Sequence, residues 1–413
     1  MERNDVYCIE DYYLDESEKK MHLMLFNTSA FYRDIAGRMG RSFNAFLREP
    51  MSRRLRESRS YVEALDAVNV QEMFEEETID ASSIKKRMFG SRPVQYVIKD
   101  GEGVFNARNS TNENYISTIQ RSLDDSRYYG KLLRSFSERP PLENILTCFS
   151  LKYAAIVNVG CGNCCFVFDE NNVVMIDCSN REKRGGLFQA NVDAAIAWIR
   201  TVQKNKPFHV DCFLLTHPHY DHYSGVCDFV RWRYIDSETV YLINLQYQCS
   251  VGAYIQMKAS LCNAGLKYHV NPVAGQLVGP LNILHPIISP TKCRKVNNAS
   301  VLSAVRTVKN SDFVFTGDIE KSIANEGWNV VPQNVMQFIQ QSGFYMLSHH
   351  GSRNGFGTYL RGPMYSFCST RPGVYNGVPD PNTLAHFQNL MMTNTPGCRY
   401  IAVDFAAGAA NYM

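Results

Sequence analysis

The stretch LTHPHYDHYSG, residues 215–225, carries three histidines and an aspartate within six positions, and it decides how the chain is interpreted. His217 and His219 are two positions apart and can point the same way, so they suit one metal ion. Asp221 and His222 face differently and suit a second ion. Imidazole and carboxylate groups are the expected ligands of zinc, and manganese or iron also accepts them. The stretch therefore predicts a metal site.

Apolar runs around this stretch predict the fold class. From about residue 151, short apolar runs alternate with glycine-marked turns and helical spacing, which predicts an α/β fold. A helix is predicted over residues 190–202 from the spacing of its apolar positions. The predicted strands are AAIVNVG (154–160), CCFVF (164–168), VVMID (173–177), DCFLLT (211–216), TVYLINL (239–245), LNILH (281–285), FVFTGD (313–318) and FYMLSHH (344–350). The change of character near residue 150 predicts an accessory domain over 1–150 and a second domain over 151–413.

Composition limits the class of protein. The 413 residues are 45% hydrophobic and 20% charged, as in an ordinary globular protein. There is no run of about 18 apolar residues and no apolar signal segment at the N-terminus, so we predict no membrane span and no export. The 13 scattered cysteines are then expected to be reduced, as in the cytoplasm. The net charge of +3 is too small to argue for or against a nucleic-acid partner.

The first 150 residues contain two blocks of opposite charge. Residues 31–60 carry eight arginines, and residues 61–80 carry seven acidic residues and no basic one. Such blocks can fold on each other as charged helix faces, or they can form a surface for a protein or nucleic-acid partner. We predict a mixed or mainly helical accessory domain of unknown role.

The cysteines of CGNCC, residues 161–165, could either bind zinc or pack in the core. They lie at a predicted strand start, and no second cysteine pair follows at zinc-finger spacing. The sequence therefore favours core packing.

Several motifs together resemble the signature of the metallo-β-lactamase superfamily, an αββα sandwich with a two-metal site at its edge. His217-x-His219-x-Asp221-His222 matches the central motif. Asp177, at the end of VVMID, matches the family's first aspartate, which usually supports the histidine loop. The family normally has a glycine two positions later, where this chain has Ser179. Further matches are Asp318 at the end of FVFTGD, with the carboxylate that bridges two metals, and SHHGS (348–352), with the last family histidine.

The resemblance implies a set of site residues. It implies two divalent ions, Zn²⁺ as the first expectation and Mn²⁺ as the alternative, held by His217, His219, Asp221, His222, Asp318 and His350. His349 would then donate a hydrogen bond to developing negative charge, although the two neighbouring histidines could also exchange roles. Asn298 and His285 are alternative third ligands of the first ion. Arg353 either contacts a substrate phosphate or is a solvated loop residue.

The order of the motifs also resembles the ComEC/Rec2 branch of DNA-uptake proteins, over about residues 153–413. The matching segments are NVGCGNCCFVF, LNILHP, NNASVLSAV, FVFTGDIEK and LSHHGSRNG. This branch implies a phosphodiesterase or nuclease acting on nucleic acid or a nucleotide, in which a metal-activated hydroxide oriented by Asp221 attacks phosphorus. Two alternatives stay open. One is a thioesterase, lactonase or lactamase, because the fold serves many reactions. The other is a subunit of a bacterial defence complex, active only with a partner docked on residues 1–150.

Overall fold

A computed structural model gives the structure of the protein. It describes residues 148–180, 187–242, 272–285, 297–308, 311–320, 327–355, 364–371 and 378–413, together with the backbone of five earlier strands and of residues 269–270, and the positions Met257 and Leu261. The side chains of the predicted charge blocks at residues 31–60 and 61–80 lie outside the described residues.

The chain divides into two compact units. The first comprises residues 1–135 and 248–263, and the second comprises residues 136–247 and 264–413. In the first unit, β1 to β3 form an antiparallel sheet, and β4 and β5 form a separate antiparallel pair. These strands are β1 (Tyr7–Asp15), β2 (Lys20–Asn27), β3 (Phe74–Asp80), β4 (Tyr96–Lys99) and β5 (Glu102–Phe105). The accessory domain over 1–150 stays a prediction, as does its mixed or mainly helical character.

Two sheets form the centre of the second unit. Among the described residues, the first sheet has eight strands in the order β11-β10-β9-β8-β7-β6-β19-β20, with β8 to β11 parallel. These strands are β6 (Tyr153–Val157), β7 (Cys164–Phe168), β8 (Val173–Cys178), β9 (Cys212–Leu214), β10 (Val240–Leu242), β11 (His269–Val270), β19 (Tyr400–Asp404) and β20 (Ala409–Tyr412). Parallel strands place their carboxyl ends at one edge, where the site is built.

The second sheet has seven strands among the described residues, in the sequential order β12 to β18. Its strands are β12 (Leu277–Val278), β13 (Leu281–His285), β14 (Leu302–Arg306), β15 (Asp312–Phe315), β16 (Phe344–Met346), β17 (Tyr365–Cys368) and β18 (Leu390–Met392). β15 to β18 run parallel to one another. The carboxyl ends of these four strands therefore also lie at one edge.

Side chains that point alternately to the two faces of a strand explain how the sheets and helices pack in layers. Phe313 and Phe315 of β15 lie in the core between the two sheets, whereas Val314 packs in a second cluster with Val335 and Ile339 of a helix. On the first sheet, the outward Phe168 ring lies 4.9 Å from the ring of Trp198 on another helix. The α-helices among the described residues are α1 (Leu187–Val202), α2 (Tyr220–Tyr223), α3 (Val226–Arg231), α4 (Gln333–Gln340) and α5 (Pro381–Leu384).

The structure confirms the predicted α/β class, since it has two sheets with helices packed on them. Each of the eight predicted strand segments overlaps an observed strand, and the predicted helix is α1, which begins three residues earlier than predicted. None of the described helices is both long and apolar enough to span a bilayer.

Candidate metal centre

The centre is built from turns that follow four strands of the two sheets. Asp177 lies near the carboxyl end of β8, and the turn carrying His217 and His222 follows β9. Asp318 follows β15, and His350 follows β16. Because β8 and β9 are parallel neighbours, as are β15 and β16, each pair delivers its polar side chains to one edge.

Asp177 supports the histidine turn. Its Oδ1 accepts a hydrogen bond from the backbone N–H of Thr216 at 2.8 Å, and its Oδ2 accepts one from the hydroxyl of Thr216 at 2.9 Å. Oδ2 also lies 2.7 Å from Nδ1 of His222. A hydrogen bond from Nδ1 to a carboxylate leaves Nε2 of His222 as the ligand atom, as at many metal sites.

The first group of ligand atoms comes from His217, His222 and Asp318. One donor atom of each residue lies within 4.8 Å of the others, and all three residues are buried. The Asp318 carboxylate lies 3.7 Å from Nε2 of His217 through Oδ2 and 3.3 Å from Nε2 of His222 through Oδ1. Nδ1 of His219 lies 3.0 Å from Nε2 of His217, so these two rings also meet.

The second group comes from Asp221, His222 and His350, again buried and within 4.8 Å of one another. Nε2 of His350 lies 3.3 Å from Oδ2 of Asp221 and 3.5 Å from Oδ2 of Asp318. The two groups share His222, and Asp318 contacts histidines of both.

The donor set fits divalent metal ions. Ligand atoms bound at about 2.0 to 2.1 Å to a tetrahedral zinc ion lie about 3.3 Å from one another, close to the separations observed here. Among the described residues, Nε2 of His222, Oδ1 of Asp318 and both ring nitrogens of His350 are buried without a hydrogen-bond partner. Buried polar atoms normally have partners, so ions bound by these atoms would account for them.

Burial and charge set the protonation of the cluster. Burial, together with the positive charge of His222, holds the pKa of His217 well below its ordinary value, which favours the neutral imidazole that binds metal. Burial lowers the pKa of His222, but Asp318 and Asp177 outweigh it and raise that pKa well above its usual range. Burial alone would raise the pKa of Asp318. The positive charges of His222 and His350 outweigh burial and hold that pKa well below its ordinary value.

A left-handed turn directs the rings of His349 and His350 apart. Their φ angles are 48° and 51°, and Gly351 follows at 77°. The two rings lie 6.4 Å apart at 68° to each other. His350 thus faces Asp221 and Asp318, whereas His349 enters neither ligand group and has Nε2 4.0 Å from Oδ2 of Asp318. Consecutive left-handed residues are sparsely populated and concentrate at functional sites.

Glu320 is a site residue that the sequence analysis missed. Its side chain is fully buried, and Oε1 lies 3.0 Å from Nδ1 of His349 and accepts a hydrogen bond from Nδ2 of Asn297 at 2.6 Å. The available signal was the acid two positions after Asp318 in FVFTGDIEK. That signal needs the folded turn, because nothing in the sequence pairs Glu320 with a histidine.

His219 and three other predicted residues lie outside both ligand groups. Asn298 is buried, and its Oδ1 accepts a hydrogen bond from the backbone N–H of Glu320 at 3.0 Å. His285 is half-buried at the end of β13, and Arg353 is exposed. Asn298 and His285 as alternative third ligands, and Arg353 as a phosphate contact, stay predictions.

The CGNCC segment packs beneath Asp221. Cys161, Cys164 and Cys165 are buried, which agrees with the predicted core packing. Gly162 adopts a φ of +100°, and a Cβ atom there would lie 2.1 Å from the backbone oxygen of Asp221. The same oxygen accepts a hydrogen bond from the backbone N–H of Asn163 at 3.2 Å. The segment therefore supports the turn that carries a ligand.

Comparison with protein families agrees with this geometry. A family model described as the metallo-beta-lactamase superfamily matches residues 157–242, which include the histidine turn. The match shows that this part of the chain is similar to the metallo-β-lactamase superfamily. Proteins of this fold are hydrolases that bind divalent metals, and the His and Asp groups of this chain could hold such ions.

Solved structures with similar folds have low sequence identity to this chain. They include the metallo-beta-lactamase fold protein YhfI from Bacillus subtilis (10% identity, TM-score 0.35, covering 58% of this chain and 96% of that chain). A diphosphatase from the PhnP family has 12% identity and a TM-score of 0.35, covering 58% of this chain and 94% of its own. DIM-1 metallo-beta-lactamase has 15% identity and a TM-score of 0.25, covering 50% and 84%. No curated protein matches the sequence.

Proposed function

We propose that the chain is a metal-dependent phosphodiesterase that cleaves nucleic acid or a nucleotide diester. The observation that supports this is the place of Asp318. Its Oδ2 lies 3.7 Å from Nε2 of His217 and 3.5 Å from Nε2 of His350, and its Oδ1 lies 3.3 Å from Nε2 of His222. A carboxylate between two histidine groups suits the bridge of a two-metal site.

The proposed ligands come from the two groups, with His222 assigned to the second ion, and His219 is added from the sequence motif. His217, His219 and Asp318 would hold the first ion, with Asn298 or His285 as a further candidate. Asp221, His222, Asp318 and His350 would hold the second. Zn²⁺ is the first expectation and Mn²⁺ the alternative, because both accept imidazole and carboxylate ligands.

Each reacting group would have a protein partner. Bound divalent ions lower the pKa of a water molecule and stabilise negative charge on the phosphoryl oxygens. Asp221 would orient the attacking water and take its proton. His349 would donate a hydrogen bond to the negative charge that develops. Asp221 and His349 are both buried, where such contacts are stronger than in water.

Charge favours an anionic substrate. Only Asp221 and Asp318 bring negative charge to the proposed ligand set, so two divalent ions would leave it net positive. A phosphodiester is attracted to such a site, and exposed Arg353, three positions after His350, could add a contact. The ComEC/Rec2-like branch, the nuclease activity and a protein partner for residues 1–150 belong to the same proposal.

Metal analysis with an activity panel tests this proposal. The full-length protein would be assayed with Zn²⁺ and with Mn²⁺ on bis-p-nitrophenyl phosphate, single- and double-stranded nucleic acid and cyclic dinucleotides. A thioester, a lactone and a β-lactam would represent the acyl alternatives. We expect two bound ions and cleavage of a phosphodiester. The double variant His217→Ala/Asp221→Ala should lose cleavage.

The control is His386→Ala, since His386 is an exposed histidine outside the centre. It should cleave as fast as the unaltered protein. Cleavage of acyl substrates alone would reject the phosphodiesterase proposal. Full phosphodiester cleavage by the double variant would reject the assignment of the centre.

A further inference from the structure

Glu320 is a buried acid that the proposed chemistry does not use directly. Its side chain is fully buried, and burying a carboxylate destabilises the fold unless polar partners compensate. Here the partners on Oε1 are Nδ2 of Asn297 at 2.6 Å and Nδ1 of His349 at 3.0 Å. A buried carboxylate held by these partners can fix the orientation of the His349 ring.

Three turns hold Glu320 in place. Its backbone N–H donates to Oδ1 of Asn298 at 3.0 Å, and its carbonyl accepts from the backbone N–H of Trp328 at 3.1 Å. It also forms a bridge with Gly355, beyond the histidine turn. Both the backbone and the carboxylate are thus anchored before any ligand binds, as positioning groups in active sites are.

The contact determines how His349 can face the centre. Nδ1 of His349 lies 3.0 Å from Oε1 of Glu320, and Nε2 lies on the side of Asp318, 4.0 Å from its Oδ2. Asp177 also lies close to Nδ1 of a histidine, His222, and there the contact of 2.7 Å is a hydrogen bond. The centre therefore has two carboxylates that orient histidines from behind, one on each sheet.

We infer that Glu320 is a positioning residue that fixes the His349 ring, with its proton on Nδ1, against the reacting phosphoryl group. The identity of the reacting group rests on the proposed function, whereas the orientation of the His349 ring rests on the observed contact with Glu320. Asn297 completes the arrangement, because its amide holds Oε1 of Glu320 at the point that meets the ring. Glu320 itself touches no substrate in this scheme.

Kinetics of Glu320→Gln test the effect on the reaction. The variant keeps the size of the side chain but removes the carboxylate, and loss of such a support costs about 10- to 100-fold. We expect that loss in kcat, with KM unchanged within about twofold because the substrate's own contacts remain. Bound metal should stay at the unaltered level, which separates His349 positioning from loss of a ligand. In the His349→Ala background, Glu320→Gln should add no further loss.

A matched control is Asp228→Asn. Asp228 is a buried carboxylate on α3 that accepts a hydrogen bond from Nδ2 of Asn180 at 2.6 Å, as Glu320 does from Asn297. This change can lower stability but should leave kcat and KM unchanged. An equal fall of kcat in both variants would show that Glu320 has only a structural role.

Histidine NMR tests the inference without any turnover. In metal-loaded protein with ring-¹⁵N histidine, the signal assigned through His349→Ala should show a proton on Nδ1, and Glu320→Gln should shift or lose that signal. An unchanged His349 signal in Glu320→Gln, or a proton on Nε2 alone in the unaltered protein, would overturn the inference. A protein that shows the expected NMR signals but cleaves no phosphodiester would contradict the proposed function and leave the positioning role supported.

Discussion

Oδ2 of Asp177 lies 2.7 Å from Nδ1 of His222, while the same carboxylate accepts two hydrogen bonds from Thr216. One buried acid therefore sets both the start of the histidine turn and the direction of a ligand ring. The family resemblance implies this supporting role for Asp177, and these contacts are the ones that such a role requires.

Replacing Asp177 by Asn should weaken metal binding. The amide can present its NH₂ group to Nδ1 of His222, which removes the acceptor that orients the ring, and such changes cost about 10- to 100-fold in affinity. Competition with a zinc chelator measures the change. Asp312→Asn is the control, because Asp312 lies at the opposite end of β15 from Asp318. Equal affinity in both variants would contradict the supporting role.

Metal stoichiometry should follow the two ligand groups. His217 belongs to one group and His350 to the other. Each of the variants His217→Ala and His350→Ala should therefore lose one of its two ions more readily than the second ion. His222 belongs to both groups, so His222→Ala should weaken both ions. Elemental analysis after dialysis against a range of free zinc concentrations checks this. Loss of both ions in every variant would show that the ions bind only as a pair.

Gly162→Ala should destabilise the protein by more than its backbone strain alone. A left-handed φ costs about 1 to 3 kcal/mol for a residue with a side chain, and the new Cβ would also lie 2.1 Å from the backbone oxygen of Asp221. Gly397→Ala is the matched control, since φ is +79° and no atom lies within 4 Å of its Cβ position. Thermal unfolding of both variants isolates the contact. Similar melting temperatures would contradict the close packing.

His209 should make stability depend on pH. A hydrogen bond to Asp211 raises its pKa, burial opposes this, and Asp236 raises the pKa further. The stabilisation, up to about 1 kcal/mol for a half-exposed pair, is present below the unfolded pKa of about 6.5. It is lost as the pH rises through the folded pKa. Urea unfolding should therefore show a larger deficit for His209→Gln at pH 5.5 than at pH 9. A deficit that grows with pH would refute the assignment.

Strands with continuous apolar runs were predictable from the sequence. VVMID and CCFVF are buried along their whole length, so composition alone marks them. The strands β17 and β18 were not predicted, because YSFC and LMM are too short to show a period. β17 pairs with β16 and β18 pairs with β17, and the sheet sets this pairing, not the local sequence.

The site was predictable where one motif carries several ligands. His217, Asp221 and His222 stand within one turn, so their proximity follows from spacing. Glu320 and His349 lie on two separate turns, one after β15 and one after β16. Only the parallel pairing of those two strands brings the turns together. Sequence spacing has no information about such a contact.

The ligand groups draw on both sheets, and this has a consequence for the stability of the unit. Asp221 and His222 follow a strand of one sheet, whereas Asp318 and His350 follow strands of the other. An ion held by residues from both would act as a reversible cross-link over the seam of the sandwich. Separation of the sheets would then have to release metal, so the free concentration of zinc would set how firmly the two halves stay together.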